Sequence, residues 1–253
     1  MKTNDKEIEA YFRSSGDSLC LYAYLHLQEQ LPPEKLECLT IDKSFLIQDI
    51  ERAVSTYKKQ LETSYIPFSL FEEYLLPPVI EDEPLENWRE RCLDKFSFLN
   101  TLDVVEVCDT INSLLSKDFS FNYGEIPARY LSWSYLDTLT KGDCYHMAKS
   151  VLYPLRALGY PCTIDFSPCW GNTTGGHSWN VVYIEGKMIP FMGREKGIYA
   201  YDPFRIYNFE NPERMNPARY PGKVYRKTFS ANKKLKQLIG HISMDDLPPF
   251  LSD

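Results

Sequence analysis

Apolar and polar positions follow a helical periodicity over the first hundred residues. The clearest stripe runs from Ile47 to Leu61, where apolar residues recur at steps of three and four, and Ser44 precedes it as a candidate N-cap. A second stripe on the same spacing follows at residues 104–115. Because no reactive constellation lies among the earlier helices, we expect residues 1–100 to form a helical scaffold.

The pattern changes from about Tyr135 onwards. Residues 144–158 place an apolar residue on one helical face at every third or fourth position, and Gly159 follows as a natural helix end. Pro154 lies inside this helix, so we expect a kink there or a division of the helix after Tyr153.

Three strand-like runs follow the helix, at residues 160–166, 178–184 and 187–192. Glu185-Gly186 separates the last two runs as a two-residue hairpin loop, in which the glycine supplies a positive φ. A helix followed by antiparallel strands predicts an α+β fold rather than a βαβ one.

The composition excludes several classes of protein. Of the 253 residues, 43% are hydrophobic and 14% aromatic, which is enough for a packed core. The formal net charge of -7 argues against nucleic-acid binding, which needs a basic face. No apolar run is long enough to span a bilayer, and the first residues lack the apolar segment of a secretory signal. We divide the chain into a helical region (1–100), a core (101–230) and a C-terminal tail or linker (231–253).

The seven cysteines do not indicate a disulfide framework, because the number is odd and the chain is not small. Five of them lie in apolar or mixed segments, where buried free thiols are expected: Cys20, Cys38, Cys92, Cys108 and Cys162. No set of cysteines and histidines has the spacing of metal ligands, so we predict neither a metal nor an organic cofactor.

Cys144 and His177 stand in contexts that suit a thiol nucleophile and its base. Cys144 opens the predicted helix, and His177 opens the predicted hairpin 33 positions later. The N–H groups and positive dipole end of a helix N-terminus favour a thiolate and can receive an oxyanion. His177 could accept the thiol proton and pass it to a leaving group. The alternative is a buried cysteine and an unrelated surface histidine.

The residues around this pair resemble the transglutaminase-like core. The resemblance is carried by four segments: Lys141-Gly142-Asp143-Cys144, Leu155-Arg156-Ala157-Leu158-Gly159-Tyr160-Pro161, His177-Ser178-Trp179-Asn180-Val181-Val182 and Glu185-Gly186-Lys187. It implies a papain-like arrangement with the cysteine on a helix, and with histidine and aspartate on neighbouring strands of an antiparallel sheet. It covers roughly residues 135–202.

A second resemblance bears on localisation. Residues 165–172 and the helical N-terminal half are similar to uncharacterised transglutaminase-like proteins of Bacteroides-type gut bacteria. Those relatives are often longer and exported, which implies a periplasmic or surface protein whose chain is trimmed here at both ends. The last residues resemble a linker into a further C-terminal domain.

The third catalytic residue departs from the family pattern. With Glu185-Gly186 as the loop, His177 should lie opposite Arg194, and the position that the family gives to aspartate holds Met192. The best replacement is Asp202, ten residues later in an Asp-Pro pair, which an inserted loop at 193–200 could return to the site. The alternative role of Asp202 is to start a turn.

Other candidates for the third position remain open. Asp165 on the preceding strand is the second and Asn180 the third, because strand alternation points Asn180 away from the histidine. A cysteine–histidine dyad without a third member is also possible.

Three further side chains have expected places. The resemblance implies that a tryptophan near the cysteine shields the site and helps to bind the oxyanion, a role that Trp170 or Trp179 could fill. For both, the alternative is aromatic core packing. His146 is expected on the helix surface.

These observations predict thiol-mediated acyl transfer on a peptide, protein or glycopeptide. Hydrolysis through an acyl-enzyme on Cys144 is the expected outcome, because nothing in the sequence would exclude water. One alternative is a degenerate fold that binds peptide or glycan without chemistry, which Met192 supports. A transglutaminase proper, with an amine acceptor, is the other.

Overall fold

Two helices of the N-terminal region begin directly after aspartates, Asp17 and Asp42. Asp17 Oδ1 accepts hydrogen bonds from the N–H groups of Leu19 and Cys20, and Asp42 Oδ1 accepts from Phe45. Asp42 is therefore the N-cap of the helix that starts at Lys43, and the prediction of Ser44 was wrong.

The computed structural model describes residues 2–31, 42–81, 83–100, 102–122, 131–172, 175–204, 220 and 222–230.

The N-terminal region is helical, as predicted. Its helices are α1 (Lys2–Ser15), α2 (Ser18–Gln30) and α3 (Lys43–Gln60), followed by a short helix (Phe68–Leu70) that continues as a π-helical turn (Phe71–Leu75). They enclose an apolar cluster of their own, which includes Phe12, Tyr24, Ile50 and Phe71. This cluster is separate from the one around the sheet.

Four more helices surround the second cluster. They are α4 (Trp88–Phe96), α5 (Val104–Ser116), α6 (Trp133–Leu136) and α7 (Cys144–Ala157), with a 3₁₀ turn at Ser97–Leu99. Two short strands, β1 (Ser120–Phe121) and β2 (Lys141–Gly142), pair in parallel before α7. The N-terminal helices contact this second cluster where Gln60 Nε2 of α3 donates to the carbonyl of Leu158, at 2.8 Å.

Helix α7 is the central element of the fold. Every side chain from His146 to Ala157 is buried, because α4, α5, α6 and the sheet all pack around it. The helix continues through Pro154, so the division expected as one alternative after Tyr153 is not formed, and the kink stays a prediction.

An antiparallel sheet packs on α7 and confirms the α+β class. Its strands are β3 (Cys162–Ser167), β4 (His177–Ile184), β5 (Lys187–Phe191) and β6 (Tyr225–Arg226), in the order β5-β4-β3-β6. Apolar residues of β3, β4 and β5 join α7 in the larger core, among them Ile164, Val182 and Phe191.

The predicted hairpin register is confirmed as far as Phe191. Ile184 pairs with Lys187 and Asn180 with Phe191, and φ is 46° at Glu185 and 87° at Gly186. The ladder then ends.

Beyond Phe191 the chain turns back on itself. Met192 bridges Lys196, so the predicted opposition of His177 and Arg194 is not formed. The division of the chain at residues 100 and 230 stays a prediction. Within the described residues, no helix is both long and apolar enough to cross a membrane.

Candidate active site

The first turn of α7 is fixed by a capping box around Asp143. Its Oδ1 accepts from the N–H groups of Tyr145 and His146, at 2.9 and 3.1 Å. In return, Nδ1 of the His146 ring lies 3.4 Å from the Asp143 amide nitrogen and 2.7 Å from Asp143 Oδ1. The reciprocal bonds make Cys144 the first residue of the helix, as the sequence predicts.

The Cys144 thiol is half-buried, and its surroundings act on it in opposite directions. Burial raises the pKa of the thiol, and the Asp143 carboxylate adds to this rise. The backbone N–H groups of Ser178, Cys144 and Tyr145 lower the same pKa. Burial prevails, so the pKa of the thiol lies above its ordinary value. The N–H groups of the helix N-terminus lower the pKa of the thiol, as the sequence suggests, but their effect is smaller than that of burial.

The beginning of β4 meets the beginning of α7. Ser178, whose N–H acts on the Cys144 sulfur, directly follows His177, the first residue of β4. On its other side, β4 is held by β3, where Ser167 pairs with His177. The structure therefore brings the two predicted residues to one place, by packing the helix against the end of the hairpin strand.

Aromatic side chains surround the His177 ring. Its centroid lies 5.9 Å from that of Trp179, 6.4 Å from Tyr201 and 6.5 Å from Trp170. Trp170 and Trp179 are almost parallel to each other, with an interplanar angle of 12°, and both are buried. With Met147 and Met192 they belong to a small apolar cluster against which Cys144 packs. Both tryptophans thus line the site, while their part in oxyanion binding stays a prediction.

Tyr201 makes the hydrogen bond to His177 for which the sequence offers several candidate partners. Its hydroxyl lies 2.7 Å from His177 Nε2, and its ring is buried in the same apolar cluster. Sequence reasoning reached Asp202 by way of the loop at 193–200, but it did not consider the neighbouring tyrosine. The signal available was the Tyr-Asp-Pro run itself.

Asp202 starts a turn in the structure. Its Oδ1 accepts from the N–H of Phe204 at 2.9 Å, which is the local role weighed against catalysis. Its place as the third catalytic residue stays a prediction.

The other two candidates have partners elsewhere. Asp165 forms a two-pronged ion pair with Arg226 of β6, with N···O distances of 2.7 and 2.8 Å. Asn180 is buried against α7, where its Nδ2 donates to the Ala148 carbonyl at 2.9 Å and its Oδ1 accepts from Gly193 at 3.1 Å. Asn180 therefore faces the helix, as strand alternation predicts.

The turn after β5 is fixed by a side chain from α5. Asn112 Nδ2 donates to the carbonyls of Met192 and Lys196, at 3.2 and 3.4 Å, and its Oδ1 accepts from Arg194 at 3.1 Å. Met192 itself is buried in the cluster beside the site. The chain thus leaves the sheet at a defined point and returns to the histidine at Tyr201.

His146 is not on the helix surface, so that prediction was wrong. Only 2% of it is exposed, because Gly142 of β2 packs against its ring. Its Nε2 is buried without a hydrogen-bond partner among the described residues. A histidine in a helical pattern does not reveal that a strand covers it.

The remaining cysteines differ from Cys144. Cys20, Cys92, Cys108 and Cys162 are buried free thiols, as predicted, and Cys38 lies outside the described residues. Cys169 is an exposed free thiol. Among the described side chains, no group of three or more His, Cys, Asp or Glu is arranged to hold a metal ion.

Residues 99–193 match the Transglutaminase-like superfamily. Two solved structures are similar to part of the chain. One is a candidate cysteine protease from Cytophaga hutchinsonii, with 14% identity and a TM-score of 0.36. The other is the periplasmic domain of TgpA from Pseudomonas aeruginosa bound to ethylmercury, with 15% identity and a TM-score of 0.35. Each alignment covers 56% of this chain and half (50%) of the other chain. No curated protein matches the chain.

Proposed function

We propose that this chain, whose residues 99–193 match the Transglutaminase-like superfamily, catalyses thiol-dependent acyl transfer on amides of peptides, proteins or glycopeptides. The outcome is hydrolysis through an acyl-enzyme on Cys144. One observation carries the proposal: the start of α7 meets the start of β4, so that the Ser178 N–H acts on the Cys144 sulfur beside His177.

The first half-reaction forms the acyl-enzyme. His177 takes the thiol proton while Cys144 Sγ attacks the carbonyl carbon, and the carbonyl oxygen becomes an oxyanion. The Cys144 N–H stabilises that oxyanion, because the N–H groups of Tyr145 and His146 already donate to Asp143. Trp170 and Trp179 line the site beside it. When the tetrahedral intermediate collapses, the C–N bond breaks and the imidazolium of His177 gives its proton to the departing amine.

The second half-reaction releases the product. Water attacks the thioester carbonyl while His177 takes its proton, and the C–S bond breaks as the thiol is reprotonated. The products are a carboxylic acid and the free enzyme. Two neighbouring residues compete for the role of orienting His177 in both steps: Asp202, which the sequence offers, and Tyr201, whose hydroxyl contacts the ring.

A second candidate function is a non-catalytic module that binds peptide or glycan. The raised pKa of the Cys144 thiol favours it, because a buried neutral thiol is a poor nucleophile without a base. Met192 favours it as well, since an apolar side chain occupies the position that the family gives to a carboxylate.

Alkylation by iodoacetamide across pH separates the two functions. Peptide-resolved mass spectrometry would follow Cys144 in the wild type and in His177→Ala, with the exposed Cys169 as an ordinary thiol in the same molecule. We expect wild-type Cys144 to react well below the free-thiol pKa of about 8.5, because His177 takes the thiol proton as the sulfur attacks iodoacetamide. In His177→Ala the thiol keeps its raised pKa and has no base, so the reaction should require a pH above about 8.5. If Cys144 follows the same titration in both proteins, the non-catalytic module is the correct reading.

A further inference from the structure

We propose that Tyr201 positions His177 in place of the third catalytic carboxylate, through the hydrogen bond between its hydroxyl and Nε2. The inference rests on the proposed function, in which Cys144 and His177 act as nucleophile and base. The oxygen–nitrogen distance is 2.7 Å, and 8% of Tyr201 is exposed. Burial limits competition from water for the bond.

The loop that carries Tyr201 is anchored on the helices that hold the site. Asn112 of α5 binds three backbone groups of the turn at 192–196, as described above. Gly193 passes so close to α7 that a Cβ there would lie 2.6 Å from the carbonyl oxygen of Met147. Position 193 therefore tolerates no side chain.

Arg194 provides a second anchor. Its guanidinium donates to Ser150 Oγ of α7 at 2.7 Å and to the Leu136 carbonyl of α6 at 2.7 Å. Because Ser150 and Cys144 belong to the same helix, the loop and the nucleophile share one rigid support. Tyr201 returns to the site with its position set relative to the thiol.

The hydroxyl can select the productive form of the imidazole. When Nε2–H donates to Tyr201 Oη, the neutral ring carries its lone pair on Nδ1, the remaining nitrogen that can take the thiol proton. After proton transfer, Nε2–H still donates to the same oxygen. The tyrosine thus holds one tautomer and one ring orientation, the two tasks that a carboxylate performs in a triad.

A phenol differs from a carboxylate in its charge. A neutral acceptor stabilises the imidazolium less than an anion does, so it favours proton transfer during the attack over an ion pair formed beforehand. Burial of the Cys144 thiol, which raises its pKa, acts in the same direction.

Three substitutions in the full chain test this role, with the alkylation rate of Cys144 by iodoacetamide as a function of pH as the readout. Tyr201→Phe removes the hydroxyl and keeps the ring in its cluster. Tyr199→Phe is the matched control, because that tyrosine is 71% exposed and lies two positions away. Asp202→Asn tests the rival. Circular dichroism and thermal unfolding establish that each variant folds.

We expect Tyr201→Phe to lower the rate at pH 7 by about 10- to 100-fold, which corresponds to losing one hydrogen bond to a charged group. The curve of its alkylation rate against pH should shift to higher pH and meet that of the wild type at high pH, where the thiolate forms without a base. Tyr199→Phe should match the wild type, and Asp202→Asn should lose less than Tyr201→Phe.

Other results would overturn the role of Tyr201. If Tyr201→Phe matches Tyr199→Phe while His177→Ala remains deficient, the pair is active and Tyr201 does not position the histidine. A larger loss in Asp202→Asn would give the third place to the aspartate. A loss in Tyr201→Phe that is equal at every pH would indicate damage to the cluster. If wild type and His177→Ala behave alike, the proposed function itself fails, and the role of Tyr201 fails with it.

Discussion

Helix α7 carries two polar arrangements on its first two turns, and they differ in charge. One is the site, where a thiol, an imidazole and a phenol come together beside Cys144. The other lies around Tyr145 and Lys149, which are four positions apart and so share a different face of the helix. There, the Lys149 Nζ contacts Glu81 and Glu83, at 2.8 and 2.9 Å.

The charged arrangement is largely buried, and each of its charged groups has a partner of opposite charge. Lys149 is 2% exposed, and Glu81 is also bound by Lys227 and by the Tyr145 hydroxyl. The carboxylate of Glu83 accepts from the N–H of Glu81 at 3.0 Å. The cluster therefore ties α7 to the segment before α4 and to the segment after β6.

The contrast indicates that the two arrangements have different roles on one helix. The ion cluster fixes the helix, and its charges neutralise one another away from the thiol. The site holds a thiol, an imidazole and a phenol, and the pKa of its thiol is set by burial, by nearby N–H groups and by the Asp143 carboxylate. We expect substitutions in the cluster to change stability, and substitutions in the site to change reactivity.

The largest effect on stability is expected from Lys149→Met. Removing the ammonium leaves the buried carboxylate of Glu83 without its cation, so the free energy of unfolding should fall by about 3–5 kcal/mol. Lys58→Met is the control, because Lys58 pairs with Asp17 at the surface and should change the value by about 1 kcal/mol or less. Urea unfolding measures both. An equal loss in free energy of unfolding in the two variants would mean that the buried cluster does not stabilise the position of the helix.

A smaller effect is expected from acid. Burial raises the pKa of Glu81, but Lys149 and Lys227 outweigh it and bring the value from 4.5 to about 2. A carboxyl whose pKa is lower in the folded state stabilises the fold above its unfolded pKa. That stability, on the order of 3 kcal/mol, should be lost as the pH falls from 4.5 towards 2.

Urea unfolding between pH 7 and pH 3 would measure this loss in the wild type and in Glu81→Gln. The variant should lack most of the acid-dependent decline, whereas the exposed Glu62→Gln should retain it. A decline of the same size in Glu81→Gln would assign the acid sensitivity to other carboxylates.

Local patterns predicted the parts of the site that local chemistry determines. Cys144 opens its helix because Asp143 caps it, and the hairpin register follows from Glu185-Gly186. Each depends on residues adjacent in sequence, so the pattern contains the information. The N-cap Asp42 was missed although it lies two residues from the predicted Ser44, because several polar side chains there could cap.

The parts that depend on distant residues could not be predicted in this way. The path from Phe191 to Tyr201 is set by Asn112, about 80 residues earlier in the chain. The burial of His146 depends on Gly142 of a two-residue strand that carries no pattern. The raised pKa of the Cys144 thiol depends on how deeply the helix end is buried, which periodicity does not reveal.

The central claim is that Cys144 forms an acyl-enzyme with the help of His177, and trapping that species tests it most directly. The full chain would be mixed with p-nitrophenyl acetate, quenched in acid and mapped by mass spectrometry. We predict a burst of about one nitrophenol per enzyme and acetylation at Cys144. The burst should be absent in Cys144→Ala and about 10²- to 10⁴-fold slower in His177→Ala. Acetylation spread over exposed nucleophiles such as Cys169, with unchanged nitrophenol release in Cys144→Ala, would contradict the claim.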